Sequence, residues 1–444
     1  FRQPEAPRNV APLQVTFSAK RAPNVNTKHR DLKRALAYMG GAALLVCLAS
    51  CGDDNRDYFV GPGPGSPGYT PNSVAIADVN GDGTPDLLVA TTVDQGLAND
   101  PGVASVYLGA PTAPGTYQPG TDYSTTGTNP SGIAAVALAG SGSTDMVVSN
   151  FGNGTASVLM HDPANPGKFL AATTLTTGGQ PNQVVSADLN GDGLPDLVFA
   201  DLSTSGNAIV MLQNATTPGQ FAAPLDLPTG GMTASVAIGD LNGDGKPDIV
   251  ATTFDTNGNN GAVAVFLQNP ASPGTFMAPV TFPAGAQPQS VRILDVNGDG
   301  LPDLVIANRG PGSDGTGSAG VSVLIQDPAH PGSFLAPVTY TTPWGAIDVA
   351  VADLNGDGKP DLVVASLGPG PTGAVSVLLQ STTTAGTFGT ATSYAGFGQP
   401  LSVAIADLNG DGHPDIAVAD GFTASVMLQN AASPGTFANA VQVN

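Results

Sequence analysis

A nine-residue pattern of carboxylates and one carboxamide recurs six times and contains the residues best suited to chemistry. The copies occupy residues 78–86, 188–196, 240–248, 295–303, 353–361 and 407–415. Each has Asp at loop positions 1, 5 and 9, Asn at position 3 and Gly at position 6. Alternating oxygen side chains converge only if the backbone curls tightly, and Gly permits that curl. Such an all-oxygen cage suits a hard divalent cation, and the flexible coordination of Ca²⁺ fits a loop better than the octahedron of Mg²⁺.

The predicted calcium ligands are the side chains at positions 1, 3, 5 and 9 and the backbone carbonyl at position 7. They are Asp78, Asn80, Asp82, Thr84 and Asp86; Asp188, Asn190, Asp192, Leu194 and Asp196; Asp240, Asn242, Asp244, Lys246 and Asp248; Asp295, Asn297, Asp299, Leu301 and Asp303; Asp353, Asn355, Asp357, Lys359 and Asp361; and Asp407, Asn409, Asp411, His413 and Asp415. A plain Asx-rich hairpin turn is the alternative interpretation. Because three Asp in each loop repel one another without a counterion, the pattern favours about six structural calcium ions.

Strands, rather than helices, must position these loops. An EF-hand has the same alternation at positions 1, 3 and 5, but it closes with Glu at position 12 and is flanked by helices. Here Asp closes the loop at position 9 after a Pro, and the flanks are short apolar runs such as residues 235–239 and 249–251. These features predict a hairpin loop between two strands.

A second landmark, a Pro-Gly-x-aromatic turn or a close variant of it, recurs after an apolar strand. Its aromatic residue falls at Tyr117, Phe169, Phe221, Phe276, Phe334, Phe388 and Phe437. There are thus seven such turns against six acidic loops, and the missing loop aligns with residues 137–145. That segment keeps its glycines and the final Asp145, but Ala137, Ala139 and Ser141 replace the other ligands. We therefore expect the second unit to keep the turn and to bind no metal.

The two landmarks define seven units of roughly 50 to 60 residues with about four strands each. Repeats of this kind predict an all-β protein, a seven-bladed β-propeller of four-stranded antiparallel blades with calcium-binding loops between first and second strands. Helical solenoids are excluded because no unit has a helical period. The last unit ends in a complete fourth strand, which favours ring closure by packing the first blade against the last. Residues 57–60 are a candidate extra strand.

The units resemble FG-GAP or VCBS repeats, the blades of integrin-alpha-like propellers, over about residues 70–444. The resemblance implies calcium at the same loop positions, and residues 137–145 depart from it. Such repeats occur in adhesins, surface lipoproteins and a few enzymes, so the resemblance narrows fold far more than function.

The N-terminal region reads as an export signal. Residues 35–50 form an uncharged, mostly apolar run that ends in Leu48-Ala-Ser-Cys51. The run is short for a membrane span and suits a signal peptide, although an N-terminal membrane anchor is the alternative. Its end resembles the lipobox of bacterial lipoproteins, which implies that Cys51 is lipidated. We therefore expect an exported lipoprotein, anchored in a bacterial outer membrane or at the cell surface.

The predicted domain organisation has three parts. Residues 1–50 are an upstream segment and lipoprotein signal peptide, residues 51–72 are a flexible Gly/Pro tether, and residues 73–444 are the propeller. A polar stretch of this length before the apolar run is unusual for a signal peptide, so a start at Leu32 is a further hypothesis.

Charge is distributed unevenly along the chain and excludes one class of partner. Residues 1–50 carry eight basic and two acidic residues, whereas residues 51–444 carry six basic and 33 acidic residues. The resulting charge of −27 excludes a nucleic-acid partner by bulk electrostatics. The pattern predicts no particular oligomeric state.

Three residues form a candidate ligand site away from the loops. Arg292, Arg309 and Trp344 belong to the fifth unit and its connection to the sixth, and we expect them on the propeller face opposite the metal loops. An aromatic platform with guanidinium donors suits a sugar or a carboxylate. The alternative is a lone surface Trp with two Arg that offset the negative charge.

Two function classes remain open at this point. The first is a calcium-stabilised, surface-tethered binding or adhesion module that recognises a protein or carbohydrate ligand. The second is an extracellular polysaccharide-acting enzyme or its accessory domain. No catalytic residues are predicted, because no nucleophile elbow appears and the paired Asp residues are already assigned to the loops.

Overall fold

The chain forms seven four-stranded antiparallel sheets, each built from four strands that are consecutive in sequence. The computed structural model describes residues 68–443 apart from 95–99, 140–141, 312–319 and 370–371. All of these residues lie in one unit of the chain, Cys51–Asn444. The predicted all-β, seven-bladed propeller is therefore confirmed.

The strands of the first four blades follow one another with short connections. Their bounds are β1 Gly68–Ala77, β2 Asp86–Asp94, β3 Pro101–Tyr107 and β4 Thr121–Thr128; β5 Pro130–Val136, β6 Asp145–Asn150, β7 Thr155–Leu159 and β8 Thr173–Thr176; β9 Pro181–Ala187, β10 Asp196–Asp201, β11 Asn207–Met211 and β12 Leu225–Pro228; and β13 Val236–Gly239, β14 Asp248–Thr253, β15 Ala262–Phe266 and β16 Val280–Pro283. A single 3₁₀ turn in the described residues, Phe151–Asn153, joins β6 to β7.

The last three blades repeat the same order. Their bounds are β17 Pro288–Leu294, β18 Asp303–Asn308, β19 Gly320–Leu324 and β20 Val338–Thr341; β21 Gly345–Ala352, β22 Asp361–Leu367, β23 Gly373–Leu378 and β24 Thr392–Phe397; and β25 Ser402–Ala406, β26 Asp415–Ala419, β27 Ala424–Met427 and β28 Val441–Val443. Within the described ranges, no helix has both the length and the apolar composition that a membrane-spanning segment needs.

Burial varies across each blade from the second strand to the fourth. The second strands are buried on both faces, as in β10 and β18, where every residue is buried. Their continuous apolar runs suit a strand covered on both sides. The fourth strands, such as β12, expose most of their residues to solvent. Each of the six acidic loops therefore lies directly before a strand that is buried on both faces.

The hydrophobic core lies between blades. Seven buried clusters each combine residues of two neighbouring blades. One of them joins Val74 and Leu87 of the first blade to Leu408 and Ala417 of the last. Because β28 belongs to the last sheet and β1 to the first, the ring closes by packing and not by strand exchange, as the sequence predicts.

The first blade begins earlier than predicted. Strand β1 starts at Gly68, and residues 68–71 pair with β2, so residues 68–72 belong to the propeller rather than to the tether. The reason is that Gly68, Tyr69, Thr70 and Pro71 find partners in the long second strand, although their composition is typical of a linker. Cys51, residues 1–50 and the candidate strand at residues 57–60 lie outside the described residues.

The Pro-Gly-x-aromatic turn joins the third and fourth strands and packs against the preceding blade. Four of its aromatic rings make edge-to-face contacts with a ring on the preceding fourth strand, at centroid distances of 5.3 to 6.0 Å. Phe388 and Tyr340 form one such pair, and Phe437 and Tyr394 another. Edge-to-face pairs of this kind add stability beyond buried area. The repeated aromatic therefore serves as an inter-blade contact.

Candidate functional site

The six acidic loops connect first and second strands at one end of the ring, and their backbones have the curl that the sequence predicts. In the third blade, Gly191 and Gly193 have φ values of 78° and 86°. Left-handed backbone of this kind strains any residue with a side chain. Sequence analysis identified the need for Gly only at position 6. The same need at position 4 was missed, although the repeated Asn-Gly dipeptide signals it.

Side chains of the loop fold back onto its own backbone amides. In the third blade, Asp188 Oδ1 accepts a bond from Gly191 N at 2.7 Å, and Asp188 Oδ2 accepts one from Gly193 N at 2.8 Å. Asn190 Oδ1 accepts from Asp192 N at 2.9 Å, and Asp192 Oδ1 accepts from Leu194 N at 2.9 Å. The other five loops repeat these bonds. The loop is therefore preformed by positions 1, 3 and 5.

The Asp at position 9 has a separate structural role. Asp248 is fully buried, and its Oδ2 and Oδ1 accept bonds from Leu241 N at 2.9 Å and Gln268 N at 2.7 Å. These amides belong to the loop and to the end of the third strand, so the carboxylate joins two segments. In the second blade, which lacks the other ligands, Asp145 bonds Leu138 N and His161 N in the same way. The role of position 9 therefore does not depend on a cation.

The three carboxylates of a loop are close enough to influence one another. Burial raises the pKa of Asp86 to about 6, bonds from the Gly109 and Val79 amides lower it, and the charges of Asp82 and Asp78 raise it further. The pKa of the position-9 carboxyl is raised, chiefly by burial, in the other five loops as well, at Asp196, Asp248, Asp303, Asp361 and Asp415. A bound cation would oppose this shift, because it favours ionised carboxylates.

The donor set of the loops fits calcium. Positions 1, 5 and 9 present carboxylate oxygens and position 3 presents a carboxamide oxygen, and a carboxylate that accepts two amide bonds retains further acceptor sites. Among the described residues, no three His, Cys, Asp or Glu side chains converge closely enough to form a metal cluster by themselves. In these loops, the carboxylates are instead held by backbone amides. A bound cation would therefore need the position-3 Asn oxygen and the position-7 carbonyl oxygen as ligands in addition to the carboxylates.

Each acidic loop also contacts the Pro-Gly turn of the following blade. A Cβ atom at Gly274 would lie 3.3 Å from Asn190 Cβ of the preceding loop. Gln268 Nε2 donates to Leu189 O at loop position 2, at 3.0 Å. At the interface formed by the second blade's loop, which lacks the other predicted ligands, a Cβ atom at the corresponding glycine, Gly219, would lie nearest to Met160. The two landmarks of the sequence are thus partners across blade interfaces.

A cavity of about 200 Å³ lies on the ring axis at the end opposite the acidic loops. It is lined at the start of the first strand of every blade, mainly by hydroxyl and amide side chains: Asn72, Ser73, Ser131, Asn182, Gln183, Ser235, Gln289, Ser290, Arg292, Asp348 and Ser402. Residues from a single blade could not form this cavity. The site therefore exists only in the closed ring.

A belt of hydrogen bonds runs around this cavity and crosses every blade interface in turn. Its members, from the first blade back to the first, are Asn72 Nδ2 to Pro130 O, Ser131 Oγ to Pro181 O, Asn182 Nδ2 to Ala234 O, Val291 N to Ser235 Oγ, Ser290 Oγ to Asp348 Oδ1, Val403 N to Asp348 Oδ2, and Val74 N to Ser402 Oγ. The belt fixes the orientation of the polar side chains, including those that keep free acceptors.

The three predicted ligand residues all lie at this end of the ring but do not form one platform. Arg292 lines the cavity, where its guanidinium is 2.8 Å from Asp348 Oδ1. Arg309 lines a smaller adjoining cavity of about 90 Å³. Trp344 lines neither cavity and packs against Gly368 of its own blade. Sequence analysis missed the hydroxyl and amide residues of the first strands. Their only signal was that polar residues recur at a similar distance in sequence before the loop of each unit.

The fold and the loops define a class: a seven-bladed propeller in which six blades present an acidic loop of the same design. The FG-GAP-like repeat matches residues 137–199, 188–251, 252–306, 295–364 and 360–418, and the FG-GAP repeat matches residues 70–108 and 400–443. The chain belongs to the FG-GAP repeat family.

Comparison with solved structures supports the fold alone. A Bacteroides uniformis protein provisionally named a 6-phosphogluconolactonase is similar at a TM-score of 0.53 and 16% identity, with coverage of 77% of this chain and 92% of that chain. No curated protein matches the chain significantly. At this identity, the name of the structural neighbour carries no activity to this chain.

Proposed function

We propose that the protein is a calcium-stabilised, surface-tethered binding or adhesion module that recognises a protein or carbohydrate ligand on the face opposite its acidic loops. The main observation that supports this proposal is the axial cavity, whose polar lining comes from all seven blades. Concave sites with a few oriented polar groups are the usual form of a ligand site. FG-GAP propellers in general are not enzymes, which agrees with this proposal.

The chemistry of the cavity favours binding over catalysis. Asp348 is the only carboxylate among its lining residues. Asp348 Oδ1 accepts bonds from Ser290 Oγ, Arg292 Nη2 and its own blade's Val349 N, and Oδ2 accepts one from Val403 N. A general base must be free to take a proton, and this carboxylate is held by four hydrogen bonds, one of them from the Arg292 guanidinium. None of the histidines in the described ranges lines the cavity.

Calcium is proposed as a structural component of six loops. Two observations support it: the preformed oxygen-rich turn, and the pKa of Asp86, which is raised chiefly by burial and to a smaller extent by the charges of Asp82 and Asp78. We expect metal analysis of protein loaded with calcium to give six ions per chain rather than seven, because the second blade has lost three ligands. A value near zero or one would contradict the cage interpretation.

Tethering is proposed through Cys51, on the resemblance of its preceding residues to a lipobox. We expect Cys51→Ala to release or misprocess the protein in its bacterial host, because lipid chains supply the membrane affinity. Membrane fractionation and the mass of the N-terminal peptide measure this. An unchanged distribution together with an unchanged mass would refute lipidation.

The binding function is tested with the full chain on arrays of glycans and surface proteins, with and without calcium. We expect saturable binding of at least one class, and chelation should abolish it only at temperatures at which the calcium-free ring unfolds. A turnover assay on each bound glycan separates this function from the alternative of a polysaccharide-acting enzyme. Release of product at the rate of an enzyme would overturn the proposal.

A further inference from the structure

We propose that the axial cavity binds one neutral monosaccharide ring, such as the terminal sugar of a glycan. The inference rests on the proposed binding role of this face and specifies its ligand. It follows from four properties of the cavity: the hydrogen-bonding groups left free, the pairing of its charges, its apolar wall and its volume.

Several polar groups of the cavity have fixed orientations and free capacity. Asn182 Nδ2 donates to Ala234 O at 2.7 Å, which leaves its Oδ1 as an acceptor. Gln183 Oε1 accepts from Ser235 Oγ and Val236 N, at 2.8 and 2.9 Å, which leaves its Nε2 as a donor. Amide orientation follows from such networks. A ligand must therefore donate and accept at neighbouring positions, as sugar hydroxyls do.

Gln289 extends the free acceptors to another blade. Its Nε2 makes one long bond, 3.3 Å, to Gln287 O, and within the described structure its Oε1 has no protein partner. Asn182 lies on the third blade and Gln289 on the fifth, so the two acceptors approach a ligand from different sides of the axis. This spread favours a ring with several hydroxyls over a ligand with a single polar end.

The charges in the axial cavity are already paired. Arg292 Nη2 lies 2.8 Å from Asp348 Oδ1, and Arg292 Nη1 donates to Ser290 Oγ at 3.0 Å. An anion would compete with Asp348 for the guanidinium, and a cation would face Arg292. Burying a charged ligand without a free counterion is costly. The cavity therefore favours a neutral ligand although the protein as a whole is strongly acidic.

The wall across the axis from Asn182 includes two apolar side chains beside Asp348 and Ser402. Ile347 of the sixth blade and Leu401 of the seventh line both the axial cavity and its smaller neighbour. A pyranose ring has a hydroxyl edge and a C–H face, so it can bond the amides on one side and contact aliphatic carbons on the other. The volume of about 200 Å³ corresponds to roughly seven waters at about 30 Å³ each, which suits one sugar ring and no longer oligosaccharide.

Titration of the calcium-loaded full chain with glucose, galactose, mannose and N-acetylglucosamine tests the inference, with methylammonium and acetate as charged probes. We expect one or more sugars to saturate with a dissociation constant of about millimolar, typical of so small a ligand. Gln289→Met should weaken binding about threefold to tenfold, because it removes the free acceptor and keeps the volume. Ile347→Trp should abolish binding by filling the cavity.

The matched control is Gln442→Met, the same substitution on the exposed fourth strand of the last blade, which should leave sugar binding unchanged. If Ile347→Trp fails to fold, Gln289→Met still decides the question. Sugar binding that is insensitive to Gln289→Met, or saturation only by a charged probe, would overturn the inference. If the protein binds ligands on the arrays but no monosaccharide, the inference is overturned and the proposed function stands. If it binds neither array ligands nor monosaccharides, both the inference and the proposed function are overturned.

Discussion

Chelating the divalent cations of the loaded protein should lower its melting temperature by roughly 5 to 15 °C without unfolding the ring at room temperature. Extracellular calcium sites have dissociation constants of roughly 10⁻⁴ to 10⁻³ M, so about 1 mM free ion stabilises one site by roughly 0.4 to 1.4 kcal/mol. Six sites together contribute several kcal/mol, and a large domain shifts by about 2 °C per kcal/mol. The inter-blade clusters remain after chelation, so the ring should survive.

The effect of chelation should be larger at pH 7 than at pH 5. A buried carboxyl with a raised pKa keeps its proton to higher pH in the folded state than in the unfolded state. The cation-free protein therefore loses stability as the pH rises from about 4 through the pKa of about 6 that Asp86 reaches. At pH 5, protonation partly removes the buried charge of Asp86, and calcium also binds more weakly. Chelation should therefore remove less stability at pH 5 than at pH 7.

Differential scanning calorimetry measures this prediction, with Asp192→Ala as the single-site comparison. That variant should lose one site and cost less than chelation of all six. Metal analysis before chelation confirms loading. If loaded protein melts at the same temperature with and without a chelator, the calcium interpretation of the loops is wrong.

Asp145→Ala should destabilise the protein by about 2 to 6 kcal/mol, whether or not calcium is present. Its carboxylate is buried and accepts bonds from Leu138 N at 2.9 Å and His161 N at 2.7 Å. Removing it leaves two buried N–H groups without an acceptor, at about 1 to 3 kcal/mol each. The second blade lacks the other predicted ligands, so loss of a cation cannot produce the effect.

Asp145→Asn separates the need for two acceptors from the need for volume. The amide has the same shape, but its nitrogen would face a backbone N–H, so this variant should also be destabilised. Asp226→Asn, on an exposed strand of the third blade, is the matched control and should change the unfolding free energy by less than about 0.5 kcal/mol. Denaturant unfolding with and without calcium measures all three. Wild-type stability of Asp145→Asn would refute the structural role of position 9.

The same reasoning separates the two roles of position 9 in the six blades that have an acidic loop. Asp248 makes the equivalent pair of bonds to Leu241 N and Gln268 N. Asp248→Ala should therefore lose both the structural bonds and a predicted calcium ligand. Asp145→Ala loses only the bonds.

Much of the fold could be predicted because its signals are local and repeated. The curl of a loop depends on residues within one nine-residue segment, such as Asp188 and Gly193, and its flanking strands are short apolar runs beside it. The seven units that the two landmarks define then require a closed ring, because each blade leaves apolar faces that only neighbours can cover. The start of β1 was misjudged because Gly68 and Pro71 resemble a linker and become strand only by pairing with β2.

The candidate ligand site could not be predicted in the same way. Rarity in the sequence drew attention to Arg292 and Trp344, yet the structure pairs Arg292 with Asp348 and packs Trp344 away from both cavities. The cavity residues Asn182 and Gln289 are common residue types at unremarkable positions. They meet only because first strands from every blade converge on one axis.

The sequence by itself determined the blades, the acidic loops and the number of repeats, since each depends on contacts within a few residues. Only the tertiary structure decided which contacts those parts make with one another. It buried the position-9 carboxylate between two segments, seated each loop against the next blade's turn, and joined seven strand starts into a hydrogen-bonded cavity. These outcomes depend on groups far apart in the chain, whose approach is set by packing across blades and not by local residue preference.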